Sequence, residues 1–319
     1  MDVTLDRYLG ALLGLAVGDA VGTTVEFKPR GAFAAVTDMV GGGPFGLAPG
    51  EWTDDTSMAL CLATSLLECG GFDARDQMER YCRWWDEGYL SSNGQCFDIG
   101  ITVREALMRF TRGGDPFSGS THPQKAGNGS IMRLAPVVLF YHPDRDSAVR
   151  YAAESSRTTH ATVECLDACR LMASILCRAL DGEPRDAVLL GDADTFSGAP
   201  SIAAIARGAW REKSAREIRG SGYVVDSLEA ALWSVWTTDS FEGTILRAAN
   251  LGDDADTTAA VAGQIAGAMY GVSVIPAGWL ERLSMRDLVV DLGRRLAAGT
   301  PAATEVFVEA TTGGRAGGA

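Results

Sequence analysis

The 319-residue sequence has no CxxC pair, no uninterrupted apolar run of about 18 residues, and almost no alternation of apolar with polar positions. Without a CxxC pair, the seven cysteines (Cys61, Cys69, Cys82, Cys96, Cys165, Cys169 and Cys177) show no zinc or dithiol spacing. Cys165 and Cys169 share one helix face, which is poor geometry for a bridge. The thiols read as reduced and mostly buried, which suits an intracellular compartment. Without a long apolar run, no membrane span is expected, and the opening Met1-Asp2-Val3-Thr4-Leu5-Asp6 lacks the basic segment of a secretion signal. The only hint of a strand, Tyr223-Val224-Val225, is too short to build on. Positive charge is also scarce, with 28 Lys+Arg against 41 Asp+Glu for a net −13 at pH 7. A field of that sign disfavours nucleic acid and anionic membranes as partners, and no basic stripe offsets it. The expectation is a soluble cytoplasmic protein, with a monomer favoured because its glycine-faced helices pack within one chain.

Helical periodicity dominates instead. Residues 5–20 read as a helix with Gly10, Gly14 and Gly18 four apart and Gly22 just beyond. Each helical glycine costs about 1 kcal/mol relative to alanine, so a face of them implies a second helix packed very close. Further helices are expected at residues 56–69, 76–86, 99–110, 134–141 and 161–180, with loops at 27–51, 113–129 and 181–200. No linker divides the chain, so residues 1–310 are expected to form one compact all-α, multi-helix domain, with residues 311–319 a disordered tail.

Two acidic knots about two hundred residues apart carry the chemistry: Thr53-Asp54-Asp55-Thr56 and Gly252-Asp253-Asp254-Ala255-Asp256-Thr257-Thr258. Each precedes an apolar, small-residue helix. A single cap needs one acidic residue, and the second knot has three. Carboxylates crowded against an apolar run require a positive partner. Short oxygen side chains with no cysteine or adjacent histidine suit Mg²⁺ or Mn²⁺ rather than zinc. Gly191-Asp192-Ala193-Asp194-Thr195 repeats the letters without a following helix and reads as a surface turn.

Five blocks in order resemble the ADP-ribosylglycohydrolase family, and among its members the bacterial enzymes that act on dinitrogenase reductase. They are Gly14 to Gly22 leading to Val25-Glu26-Phe27, then Trp52 to Thr56, Phe97-Asp98-Ile99-Gly100, Gly127 to Pro136, and Asn250 to Thr258. The resemblance runs from about residue 5 to residue 290. It implies an all-α domain with a binuclear Mg²⁺ or Mn²⁺ centre at helix N-termini. Thr53, Asp54, Asp55, Asp254, Asp256 and Thr257 then match the metal ligands. Asp253 occupies a position where relatives often have glycine and is left out. By the same resemblance Glu26 matches a mobile acidic residue near the metals, and Asp98 matches an aspartate at the scissile bond. Read by itself, Glu26 is a loop glutamate, and Asp98 equally caps the helix starting near Ile99.

Gly127-Asn128-Gly129-Ser130 has the small residues of a phosphate cradle. In the family this block contacts the ADP moiety, with Arg133 at its edge, and His160 matches a substrate-contacting histidine. Tyr223 either stacks on adenine or packs in the core. The implied reaction is hydrolysis of the bond at C1″ of ADP-ribose on a modified protein or a small derivative. Two divalent cations would hold the distal ribose hydroxyls while Glu26 or Asp98 aims a water. Arginine-linked ADP-ribose is favoured over serine-linked or O-acetyl-ADP-ribose. The rival readings are a non-catalytic ADP-ribose-binding relative and an unrelated Mg²⁺ phosphohydrolase. The chain has no P-loop or nucleophile motif for the latter.

Overall fold

The structure, a computed structural model, describes residues 2–299, so the expected tail at 311–319 and the end of the 1–310 domain lie outside the described residues. The chain opens with α1 (Val3–Gly22), whose N-terminus is capped by the Asp2 carboxylate. It continues through α2 (Asp54–Cys69), α3 (Ala74–Glu87), α4 (Ile101–Gly113), α5 (Ala135–Tyr141), α6 (Arg145–Arg157) and α7 (Val163–Leu180). The remaining helices are α8 (Arg185–Leu190), α9 (Pro200–Ala206), α10 (Val224–Trp236), α11 (Phe241–Ala249), α12 (Ala255–Tyr270), α13 (Ala277–Arg282) and α14 (Arg286–Ala298). Isolated bridges such as Gly127 to Tyr223 occur, but no sheet forms among the described residues.

The glycine series does what its spacing predicts. A Cβ on Gly10 would lie 2.2 Å from the Gly267 carbonyl oxygen, one on Gly14 would lie 2.3 Å from that of Gly263, and one on Gly18 would lie 2.2 Å from that of Ala259. Rising numbers on α1 meet falling numbers on α12, so the two helices run antiparallel with backbones in contact. The C-terminal end of α1 therefore lies beside the N-terminal end of α12. Asp19, near the end of α1, and Asp256, in the first turn of α12, are thereby brought together at one pole of the pair.

Several boundaries differ from the sequence expectation. Helix α1 with its following turn (Val3–Val25) is apolar and long enough to cross a membrane, but 94% of its most apolar 18-residue window is buried inside the fold. Helix α2 starts at Asp54, so Asp54 and Asp55 lie in its first turn rather than ahead of it. Helix α4 begins after Gly100 at the N-cap, which rules out Asp98 as the cap. The excursion at 181–200 contains α8, whose Val188 and Leu189 reach the core. Tyr223 stands at the N-cap of α10, so the strand candidate opens a helix instead. The turn at Asp192 is on the surface, where Asp192 pairs with Arg178.

Candidate active site

Helix α2 is capped in trans. Thr53 at its N-cap makes no side-chain cap bond of its own. Instead Asp19 reaches across from α1 and accepts four hydrogen bonds. They come from the Thr53 backbone N–H (2.9 Å), the Thr53 hydroxyl (2.9 Å), the Thr56 backbone N–H (3.0 Å) and the Thr56 hydroxyl (2.6 Å). The Thr53 hydroxyl also lies 3.2 Å from Asp256 Oδ2, and Thr257 Oγ1 donates to Asp55 Oδ1 at 3.0 Å. The two knots are thus joined directly. Asp254 stands at the N-cap of α12 without capping it, and its Oδ2 accepts from Asn128 Nδ2 at 2.7 Å.

Seven carboxyl groups converge here: Asp19, Glu26, Asp54, Asp55, Asp98, Asp254 and Asp256. Burial is the largest cause raising each of them, and mutual repulsion adds to it for most. It pushes Asp19 up to about 6 against the opposing hydrogen bonds from Thr56 and Thr53. Burial and the Asp254 charge push Asp98 up to about 7, and burial with Asp98 beside it pushes Glu26 up to about 10. Asp54, Asp55 and Asp256 are raised well above the ordinary carboxylate range, and Asp254 is raised as well. Glu26 is no exposed loop residue. It is 2% exposed, accepts from Thr23 Oγ1 at 3.4 Å, and has an oxygen within 4.8 Å of one on Asp98.

The donor set fits hard divalent cations. Oxygens of Asp19, Asp55 and Asp256 lie within 4.8 Å of one another, and so do those of Glu26, Asp98 and Asp256. Asp55 Oδ2 and Asp256 Oδ1 are buried without a hydrogen-bond partner among the described residues. Buried carboxylate oxygens left unpaired in this way are costly unless a cation meets them. The positive ends of α2 and α12 both face the cluster and offset part of its charge.

Above the carboxylates opens a cleft of about 930 Å³, lined among others by Glu26, Asp54, Asp98, Asn128, His160, Asp254 and Thr257. Gly127 and Gly129 give the His160 ring room. A Cβ on Gly129 would come 2.7 Å from its Cε1. His160 is pushed down to about 3 by burial and by Arg133, so its imidazole is neutral, with Nδ1 held 2.9 Å from the Thr159 hydroxyl. Tyr223 is 39% exposed rather than in the core, and its hydroxyl donates to Glu164 at 2.7 Å beside the cleft.

Two expected contacts lie elsewhere. Arg133 is buried away from the cleft, spent on the Gly129 carbonyl (2.8 Å), the Thr159 hydroxyl (2.7 Å) and the face of Tyr81. It braces the glycine turn from beneath. Ser130 is likewise buried, 3.4 Å from Cys169 Sγ. Asp19 and Thr56 were not among the expected site residues. The signal for Asp19 was a single carboxylate in the apolar, glycine-striped stretch from Tyr8 to Gly22. Asp253 is exposed at the rim with φ +56°, a backbone region that suits glycine.

The fold and this site define a glycohydrolase architecture built around an acidic, cation-ready centre. The chain belongs to the ADP-ribosylglycohydrolase family, whose model matches residues 1–305. It is 47% identical over 302 residues to "ADP-ribosylarginine hydrolase Tri1" of Pseudomonas putida (strain GB-1), covering 95% of this chain and 81% of that protein. It is 34% identical over 294 residues to "ADP-ribosyl-[dinitrogen reductase] glycohydrolase" of Rhodospirillum rubrum, covering 88% of this chain and 91% of that protein. A solved structure described as "ADP-ribosylglycohydrolase-related protein complex" superposes with a TM-score of 0.82 at 43% identity, over 93% of this chain and 99% of that one.

Proposed function

We propose that this protein is a metal-dependent hydrolase that removes ADP-ribose from arginine side chains of modified proteins by cleaving the bond at C1″. The observation that carries this reading is the joined pair of knots, with unpartnered Asp55 and Asp256 oxygens turned into one acidic centre. The 47% identity to an ADP-ribosylarginine hydrolase supports arginine as the linkage. The cofactors are two Mg²⁺ or Mn²⁺ ions. Thr53, Asp54, Asp55, Asp254, Asp256 and Thr257 would hold them, with oxygens of Glu26 and Asp98 within 4.8 Å of Asp256, while Asp19, whose oxygens accept four hydrogen bonds, anchors α2 beneath. Bound there, the cations supply charge neutralisation, ribose-hydroxyl positioning and acidification of water.

The chain's own groups supply the rest. Glu26 and Asp98 stand together on the wall of the cleft, where either could orient water or move a proton at the scissile bond. With the Asn128 N–H donated to the Gly222 carbonyl (3.1 Å), the Gly127 and Gly129 backbone is what the turn offers to the diphosphate, the neutral His160 borders that turn, and Tyr223 offers an exposed ring to the adenine. Seven free cysteines, four of them buried, support a reducing compartment, the cytoplasm.

Product identity tests the reaction. Intact ADP-ribose recovered from an arginine-linked conjugate supports glycosidic cleavage. AMP or free phosphate would mean attack at phosphorus and would refute the reading.

A further inference from the structure

Phe27 and Phe45 line the mouth of the acidic cleft, and Phe97 packs behind Phe45. Phe27 directly follows Glu26, and Phe97 directly precedes Asp98. Phe45 joins them, with ring centroids 6.3 Å from Phe27 at 74° and 5.2 Å from Phe97 at 53°. Phe27 and Phe45 thus share the cleft wall with Glu26 and Asp98. Phe27 is 63% exposed, an unusual place for a ring with no partner but Phe45. Its backbone is held at φ +60°, a region a bulky side chain rarely adopts. Two reciprocal hydrogen bonds keep it there: Phe27 N–H to the Asp253 carbonyl (2.7 Å) and Asp253 N–H to the Lys28 carbonyl (2.9 Å). The ring is fixed to the loop that opens α12, and the exposed Asp253 stands beside it on the rim.

A rigid aromatic face next to fixed carboxylates recognises a planar cation. A guanidinium meets that description, whereas a serine hydroxyl or an acetate does not. We propose that the Phe27–Phe45 lip, with Asp253, is the leaving-group subsite, and that it selects arginine-linked substrates by stacking the guanidinium on Phe27. This inference rests on the arginine reading above and adds the residues that recognise the linkage.

The test compares Phe27→Leu and Phe27→Tyr in the metal-loaded full chain, measuring kcat/KM on an arginine-ADP-ribosylated protein and the affinity for free ADP-ribose, which lacks the guanidine. Leucine keeps apolar bulk and loses the π face, and tyrosine keeps both. Phe27→Leu is expected to lose roughly 3- to 30-fold in kcat/KM while ADP-ribose affinity stays within about twofold, and Phe27→Tyr to keep near wild-type rates. Equal loss of ADP-ribose affinity, or no loss of kcat/KM in Phe27→Leu, would overturn the proposal. A wild-type protein that binds ADP-ribose but releases none from arginine would sink the functional reading itself, a result visible before any variant is made.

Discussion

Gly18→Ala tests whether backbone contact between α1 and α12 builds the site. The new methyl would sit 2.2 Å from the Ala259 carbonyl oxygen and 2.5 Å from its carbon. Ordinary carbon contacts are about 3.5–4 Å, so the helices must part by roughly 1 Å or more. No flexible side chain can absorb the shift, because the obstructing atoms are backbone. Alanine returns about 1 kcal/mol of helix propensity, but overpacking costs ~1–3 kcal/mol and here falls on the tightest helix pair of the fold. We expect a net loss of about 2 kcal/mol and a melting point lower by roughly 3 °C. Parting the helices also moves Asp19 from Asp256, so divalent-cation affinity should fall with stability. Gly113→Ala is the control: its Cβ meets nothing within 4 Å, and it should hold or gain up to ~1 kcal/mol. Thermal melts with and without cation read both effects. A Gly18→Ala protein as stable and as cation-responsive as wild type would refute the reasoning.

Asp256→Asn should act in opposite directions with and without cation. Without it the variant melts higher, because one crowded carboxylate is gone, whereas the cation-induced rise in melting point disappears and turnover falls on the order of 10²-fold or more. Stability of the cation-free protein should fall as pH rises. Asp19 (about 6), Asp98 (about 7) and Glu26 (about 10) are all raised above their unfolded values. Their contribution is therefore complete below about pH 4 and is lost as pH climbs through the folded values. Melts from about pH 5 to 8 should decline without cation, and added Mn²⁺ should stabilise most at the alkaline end, where the ligands are ionised. Gln264→Leu should cost ~2–4 kcal/mol, because its side chain satisfies the Ala135 N–H (2.8 Å) and the Met132 (2.8 Å) and Ile131 (3.1 Å) carbonyls. Chemical denaturation measures that loss.

A backbone-close helix contact was legible because glycines four apart on residues 5–20 call for one, whereas its partner, α12, emerged only from the structure. The knots were legible because their acids outnumber any capping need. What the sequence hid depends on contacts between distant segments. Asp19 caps α2 from another helix, which no local pattern records, and α2 therefore begins inside its own acidic knot. Arg133 sits beside the cradle in sequence but turns beneath it, since Gly129 and Thr159 claim its guanidinium. Asp98 reads as a cap in one dimension, yet its φ of +56° takes it off the helix and toward Glu26. Periodicity reports which face is apolar and is silent on which buried polar groups find one another across the chain.

The proposed function stands on Asp55 and Asp256, brought together from distant parts of the chain, holding cations for hydrolysis of arginine-linked ADP-ribose. Its most direct test follows ADP-ribose release from an arginine-modified protein with Mg²⁺ or Mn²⁺, with EDTA, and with Asp256→Ala. Release is expected with cation, and essentially none with chelator or in the variant. Release that is undiminished in EDTA, or in Asp256→Ala, would contradict it.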